Sequence, residues 1–538
     1  MKIKSTLMLF VVCSQLHAQQ VYKTDSLIND FRYFIEKLEE THPDPYSKYG
    51  GRPMFRRSAE VTERWMRYDS ISTKEQLASY INTFLVPLHD GHTLVANPNS
   101  EPSNNKEMLC APIKFKVLDD RLFVRAIDNR MNELVGSRLL EVEGVEIDDL
   151  VIRMASKYPA ENNAGMYLNA SWNLRNKQTL AYSIGKELSD SLHITLLDTQ
   201  NNKVHLALPF LTQDVLRAMK YENNESCLDL PKKNISYSFI GNDAKTMYFR
   251  TSTMASKDNI EFEYKNGIST FADDLSHCYF VDNAMQPDNV EEAIAKLPSF
   301  SEEFRKMLIE MQKHKCQNLI IDLRGNGGGW FPIAAPTLYQ MWGNDYLGKN
   351  MGTAQCILIS PLYIEKLNTT LEDFNASNGS NFRFGDYAFI ESQDVTINDE
   401  VAESIIMSNR MMSSSKDVLL KQKGIPVYTP KNVFVVTDAQ TFSAAFHYAF
   451  YLWKMGTKVV GTSSSQAPNT YMAQTPLHLP ITNLFASISN TVQMFLPSDD
   501  PKAEMLIPDY AMTEDLYHKY GYDPNAEIIY ILNELVEK

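Results

Sequence analysis

Asn318-Leu-Ile-Ile-Asp322-Leu323-Arg324-Gly325-Asn326-Gly327-Gly328-Gly329-Trp330 decides the fold of this chain. An apolar run of strand length enters four glycines within five residues, and a helical pattern follows over 331–342. A continuous apolar strand is one buried on both faces, as in a parallel sheet covered by helices. Glycines at its end let backbone N–H groups turn outward and approach a ligand, which suits a phosphate or a developing oxyanion. The loop is no dinucleotide fingerprint, because Trp330 stands where the third glycine would fall. No Gly-Lys-Ser/Thr follows, so it is no P-loop either. An oxyanion site and a bare tight turn remain.

A second junction lies downstream at Val433-Phe-Val-Val-Thr437-Asp438-Ala439-Gln440-Thr441-Phe442-Ser443-Ala444-Ala445. Ser443 stands where an apolar strand gives way to a helix. A serine there either caps the helix or uses the adjacent N–H groups and helix dipole to stabilise incoming negative charge. Thr441 and Ala445 occupy the glycine positions of a G-x-S-x-G elbow, which excludes that motif.

Outward from these segments, strands and helices alternate: a strand over 247–250, a helix over 301–314, a strand over 432–437, a helix over 444–455 and a strand over 457–460. The class is α/β with a mostly parallel sheet. A polar stretch at about 365–416 reads as an insertion. Residues 20–98 read as helical, with an apolar face of Leu27, Phe31, Phe34, Ile35 and Leu38. Thr73 and Gln76 form a capping box for a later helix, and His89-Asp90-Gly91-His92-Thr93 follows it. Residues 105–210 change to short alternating strands, with a glycine hairpin over Val135–Val145.

Taken together, "D-L-R-G-N-G-G-G", "T-x-S-A-A" before a helix, "T-H-P-D-P-Y" at 41–46, "L-H-D-G-H-T" at 88–93, the hairpin module and Ile507-Pro508-Asp509 resemble the tail-specific (C-terminal processing) serine proteases, in family order. The resemblance implies a crotonase-like spiral catalytic domain over 235–538. It also implies an N-terminal helical domain over 19–100 that contributes a histidine, and a PDZ-like domain over 105–210. One branch of the family uses a lysine after the serine, but Gly461–Pro468 contains none and Lys458 lies in the preceding strand. In the tricorn-type branch a histidine serves as base, which points to His92, with His447 as rival.

The resemblance makes Ser443 the nucleophile and gives Gly327 or Gly328, with Ala444, the oxyanion. It places an acid before the final Pro-Asp, for which Glu504 is nearest and Asp499 and Asp500 are alternatives. Gly91 departs from the family pattern, which has serine there. The implied function is a serine endopeptidase acting on peptides or proteins. The rival is a catalytically inactive peptide-binding scaffold of the same fold. A thioester-processing crotonase enzyme fits poorly with export. No cofactor or metal is expected, since no cluster of ligands is visible along the chain.

The 538 residues allow three or four domains, and 44% hydrophobic residues allow each a core. A net charge of -14 disfavours nucleic acid and anionic lipid as partners. Lys2, Lys4, the short apolar run Leu7–Cys13 and Leu16-His17-Ala18 read as a cleavable secretory signal over 1–18. The expected location is therefore periplasmic or extracellular, with no membrane insertion after cleavage. Six cysteines without a CxxC pair argue against a zinc ribbon or thioredoxin-like site.

Overall fold

Asn318–Asp322 is the third strand of a six-stranded sheet in the computed structural model of the chain, which describes residues 20–96, 108–219, 226–241, 244–268 and 270–536. The signal read over 1–18 lies outside these residues. Strand order is Ser236–Ile240, Thr246–Arg250, Asn318–Asp322, Asn432–Thr437, Lys458–Gly461, Tyr510–Ala511. The first pair is antiparallel and the others parallel. All five residues of Asn318–Asp322 are buried, as its unbroken apolar run requires. Leu319 and Ile321 face helices Phe300–His314, Ala335–Trp342 and Ala444–Lys454 through Phe304, Leu338 and Tyr448. Ile320 points the other way, onto Val436, Val460, Ile528 and Ile531.

Register positions the two motif loops. Asn318 lies opposite Asn432 and Asp322 opposite Val436, so both strands end at the same edge of the sheet. The loops that follow are laced together by backbone and side-chain bonds. Phe442 N–H donates to the Asn326 carbonyl (3.0 Å), Thr441 Oγ1 to the Leu323 carbonyl (2.9 Å) and Gly325 N–H to Asp438 Oδ1 (3.0 Å).

A buried ionic chain anchors the glycine loop. Asp322 accepts two bonds from Arg324 (2.9 and 2.8 Å) and one from Tyr248 (2.7 Å). Arg324 continues to the carboxylate of Glu527, which also pairs with Lys116 at 2.6 Å. Burial alone would raise the Glu527 carboxyl, but Arg324 and Lys116 outweigh it and hold it at about 2.

Residues 24–85 form helices Thr24–Thr41, Arg52–Tyr68 and Lys74–Leu85, the last with the Thr73–Gln76 capping box. Phe31, Phe55 and Phe84 pack edge-to-face at their centre. Buried Asp30 accepts from Ile481 N–H, Thr482 N–H and the Thr482 hydroxyl, which fixes this region to the turn of a long hairpin, Asn469–His478 with Phe485–Met494. That hairpin was not legible in the sequence, because it buries polar residues such as Ser489, Asn490 and Gln493. Leu94–Val95 then joins its edge.

Residues 113–209 form a separate sheet, Ile113–Leu118, Arg121–Ile127, Arg138–Val142, Ser191–Leu197 and Lys203–Pro209. Helices Ile147–Ala155, Asn163–Asn173 and Lys177–Ile184 accompany it. The last two differ from the strand-rich expectation, since their apolar stripe is thin. The polar stretch at 365–416 holds helices Leu371–Asn378, Asp399–Ser408 and Arg410–Ser414 and an edge strand, Tyr387–Glu391. Cys110, Cys227, Cys278, Cys316 and Cys356 are all free thiols.

Glu527→Ala leaves Lys116 without its carboxylate and Arg324 with Asp322 alone, so urea unfolding at pH 7 should show a loss of about 3–5 kcal/mol. The folded carboxyl titrates below its ordinary value of 4.5. The contribution is therefore complete above that value and is lost as pH falls from it toward 2, where the gap between wild type and variant should close.

Candidate active site

Ser443 sits between the strand Asn432–Thr437 and the helix Ala444–Lys454 with φ 52° and ψ -123°. A side chain in this left-handed region costs about 1–3 kcal/mol and persists only where surrounding structure enforces it. The enforcement is visible. Ser443 N–H donates to Gln466 Oε1, and Gly328 packs so tightly that a Cβ there would lie 2.7 Å from Ser443 Cβ. The hydroxyl makes no capping bond to the helix, so the simple capping role is not what the geometry shows.

The expected oxyanion donors divide. Gly328 N–H is committed to Asn326 Oδ1 at 2.9 Å, so this glycine serves by its missing side chain rather than as a donor. The N–H groups of Gly327 and Ala444 have no acceptor among the described residues, and Gly327 is exposed. They remain free for a ligand beside Ser443.

His92 reaches this junction from the N-terminal region. Its ring stacks on Phe442, the residue before Ser443, with centroids 4.8 Å apart and planes 25° apart. Its N–H donates to Asp90 Oδ1 (2.8 Å), and its carbonyl accepts from Ser487 (2.8 Å). Asp90 in turn lies 3.3 Å from His42 Nε2, whose other ring nitrogen accepts from Asp44 N–H. Burial would raise Asp90, but His42 and His92 outweigh it and hold it at about 2.

The carboxylate facing the His92 ring belongs to Glu161. Its Oε1 lies 3.6 Å from His92 Nδ1, and it accepts from Gly91 N–H (3.3 Å) and Ala467 N–H (2.9 Å). Burial alone would lower the His92 imidazole; the charges of Glu161 and Asp90 more than offset this and hold it above its ordinary value. Glu504, expected to be the acid, has an exposed side chain, and only its backbone carbonyl reaches inward, to Asn162 Nδ2. Asp499 is also exposed, and Asp500 bonds its own turn. Glu161 escaped the sequence reading because it sits in the loop between two helices of the β module, in no motif, some seventy residues from Gly91.

Gly91 explains its own departure from the family pattern. A Cβ there would lie 2.9 Å from Glu161 Oε1 and 2.9 Å from the Phe442 ring. A side chain at 91 therefore requires Glu161 or Phe442 to shift.

His447 is engaged elsewhere. Gln493 donates to the Pro468 carbonyl (2.8 Å), which turns its oxygen toward His447 Nε2 at 2.6 Å and makes that nitrogen a donor. Burial lowers His447 to about 4, so it is neutral with its proton already given. His447 is thereby tied to Gln493; the Gln466 amide nitrogen lies 3.3 Å from the same Nε2 and, as a second donor, adds no hydrogen bond there.

The family model for peptidase family S41 matches residues 293–351, which span the glycine loop but stop short of Ser443. The search of curated proteins found no match. Among solved structures, mature CPAF complexed with lactacystin is 14% identical with a TM-score of 0.55, over 95% of this chain and 98% of that one. A mutant of the same protein is 15% identical with a TM-score of 0.54, over 96% and 99%. At this identity the likeness is one of fold. A further structure, the photosystem II D1 C-terminal processing protease, is 12% identical with a TM-score of 0.39, over 92% and 94%.

In class the chain is a serine peptidase. The family match at its glycine loop is to peptidase family S41.

Gly91→Ser should displace Glu161 or Phe442 and cost about 1–3 kcal/mol in chemical unfolding. A variant as stable as wild type would mean that the packing at Gly91 is looser than described.

Proposed function

We propose that the chain is an exported endopeptidase that cleaves peptides through an acyl-enzyme on Ser443, with His92 as general base and Glu161 as the group that orients it. The observation that carries this reading is the enforced positive φ of Ser443, beside two unclaimed N–H groups and a stacked, carboxylate-facing histidine. Ser443 Oγ attacks the peptide carbonyl while His92 takes its proton, then returns it to the leaving amine. Gly327 and Ala444 N–H groups face the oxyanion; loss of one such donor costs about 10²–10³ in rate. The 3.6 Å between Glu161 and His92 is an ion-pair distance, and such contacts commonly shorten once substrate is bound.

The finer architecture belongs to the same reading. The core is a crotonase-like spiral, and residues 105–210 are a PDZ-like module that also delivers Glu161. The basic and apolar start of the chain supports export to the periplasm or beyond.

The test is hydrolysis of a fluorogenic peptide library by wild type, Ser443→Ala, His92→Ala and Glu161→Gln. Ser443→Ala and His92→Ala should each lose at least about 10³-fold in kcat/KM, and Glu161→Gln about 10²–10⁴-fold. His92 must be neutral to act, so activity rises as pH passes its elevated titration point. Removing the Glu161 charge should move that limb to lower pH. Wild-type rates in His92→Ala would overturn the assignment, and peptide binding without any cleavage would favour the scaffold reading.

A further inference from the structure

Along the chain Asp90, His92 and Glu161 form no ligand motif, yet the fold gathers them. One ligand-type atom from each lies within 4.8 Å of the other two. Their side chains are 0%, 6% and 1% exposed. Within this cluster His92 Nδ1 is buried with no hydrogen-bond partner, and so is Asp90 Oδ2, whose ionic neighbour is His42 Nε2 at 3.3 Å. The His92 Nδ1–Glu161 Oε1 separation of 3.6 Å is too long for a hydrogen bond. It is close to the roughly 3.4 Å between two ligands of a tetrahedral ion with bonds of about 2.1 Å. One imidazole and two carboxylates, with a position left for water, is a donor set that suits Zn²⁺.

We propose that Asp90, His92 and Glu161 form an inhibitory Zn²⁺ site built into the catalytic machinery. The ion takes the Nδ1 lone pair and one oxygen from each carboxylate, after the three groups draw in, the widest pair from as much as 4.8 Å toward about 3.4 Å. The proton on Nδ1 is released to solvent. An imidazole bound to Zn²⁺ through Nδ1 is a poorer base at its other nitrogen, and Glu161 is no longer free to stabilise the imidazolium. Ser443 is thereby switched off without being touched. Two features hold the site ready. Gly91 leaves the space that Glu161 occupies, and Ala467 N–H fixes the second Glu161 oxygen at 2.9 Å. The inhibition rests on His92 being the base; the metal site does not.

The experiment separates the two. Chelator-treated Ser443→Ala is titrated with Zn²⁺ against a chromophoric chelator, alone and with Glu161→Gln or Asp90→Asn added. Circular dichroism checks that each variant is folded. One Zn²⁺ per chain, bound at least about tenfold more weakly in each folded variant, supports the site. Co²⁺ in place of Zn²⁺ should give a visible absorption band that Glu161→Gln abolishes, a second readout if Asp90→Asn does not fold. No stoichiometric binding, or binding indifferent to these variants, overturns the proposal. In wild type, Zn²⁺ should slow labelling of Ser443 by a fluorophosphonate at least tenfold. Tight binding that leaves labelling unchanged keeps the site, overturns its inhibitory role and removes His92 as base. Labelling without any Zn²⁺ binding keeps the peptidase and removes the site.

Discussion

Everything at this site depends on the parallel, in-register pairing of Asn318–Asp322 with Asn432–Thr437. A one-residue slip would turn every side chain of either strand to the other face and part the two loops at their ends. In register, the glycine loop and the Ser443 junction leave the same edge and lace to each other through Phe442, Thr441 and Asp438. Ser443 can then hold its strained backbone, because Gly328 and Gln466 leave it no relaxed alternative. The ionic chain from Asp322 through Arg324 to Glu527 and Lys116 ties the same loop to the C-terminal segment and the β module.

Glu161 is the second joint. One carboxylate, presented by the β module, touches the N-terminal region at Gly91 and His92 and the catalytic core at Ala467. Its burial is costly for a charge and pushes its carboxyl above the ordinary value; the surrounding N–H groups and imidazole offset only part of that cost. The site is therefore assembled from three stretches far apart in the chain. Docking of the β module is what brings a carboxylate to the His92 imidazole.

Much of this was legible in the sequence. Local physics is local in sequence, so the buried strand, the glycine loop, the capping box at Thr73 and the strand–serine–helix junction could all be read directly. The elements missed are those whose logic is long-range. The hairpin over 469–494 buries polar side chains against its neighbours, and so shows no apolar alternation. Glu161 lies in a loop with no periodicity and acquires meaning only across an interface. Glu504 is nearest to the final Pro-Asp along the chain, a measure that says nothing about which carboxylate faces an imidazole. Gly91 carried a real signal in its departure from serine, but its reason is a clash with Glu161 and Phe442 that only three dimensions reveal.

The most direct test of the account is intact-mass and peptide-mapping analysis of the purified protein after reaction with a fluorophosphonate. A single adduct on Ser443 is expected in wild type, strongly diminished in His92→Ala and in Glu161→Gln, with all three proteins folded. An adduct on another residue, or one on Ser443 that forms equally well without His92, would contradict it.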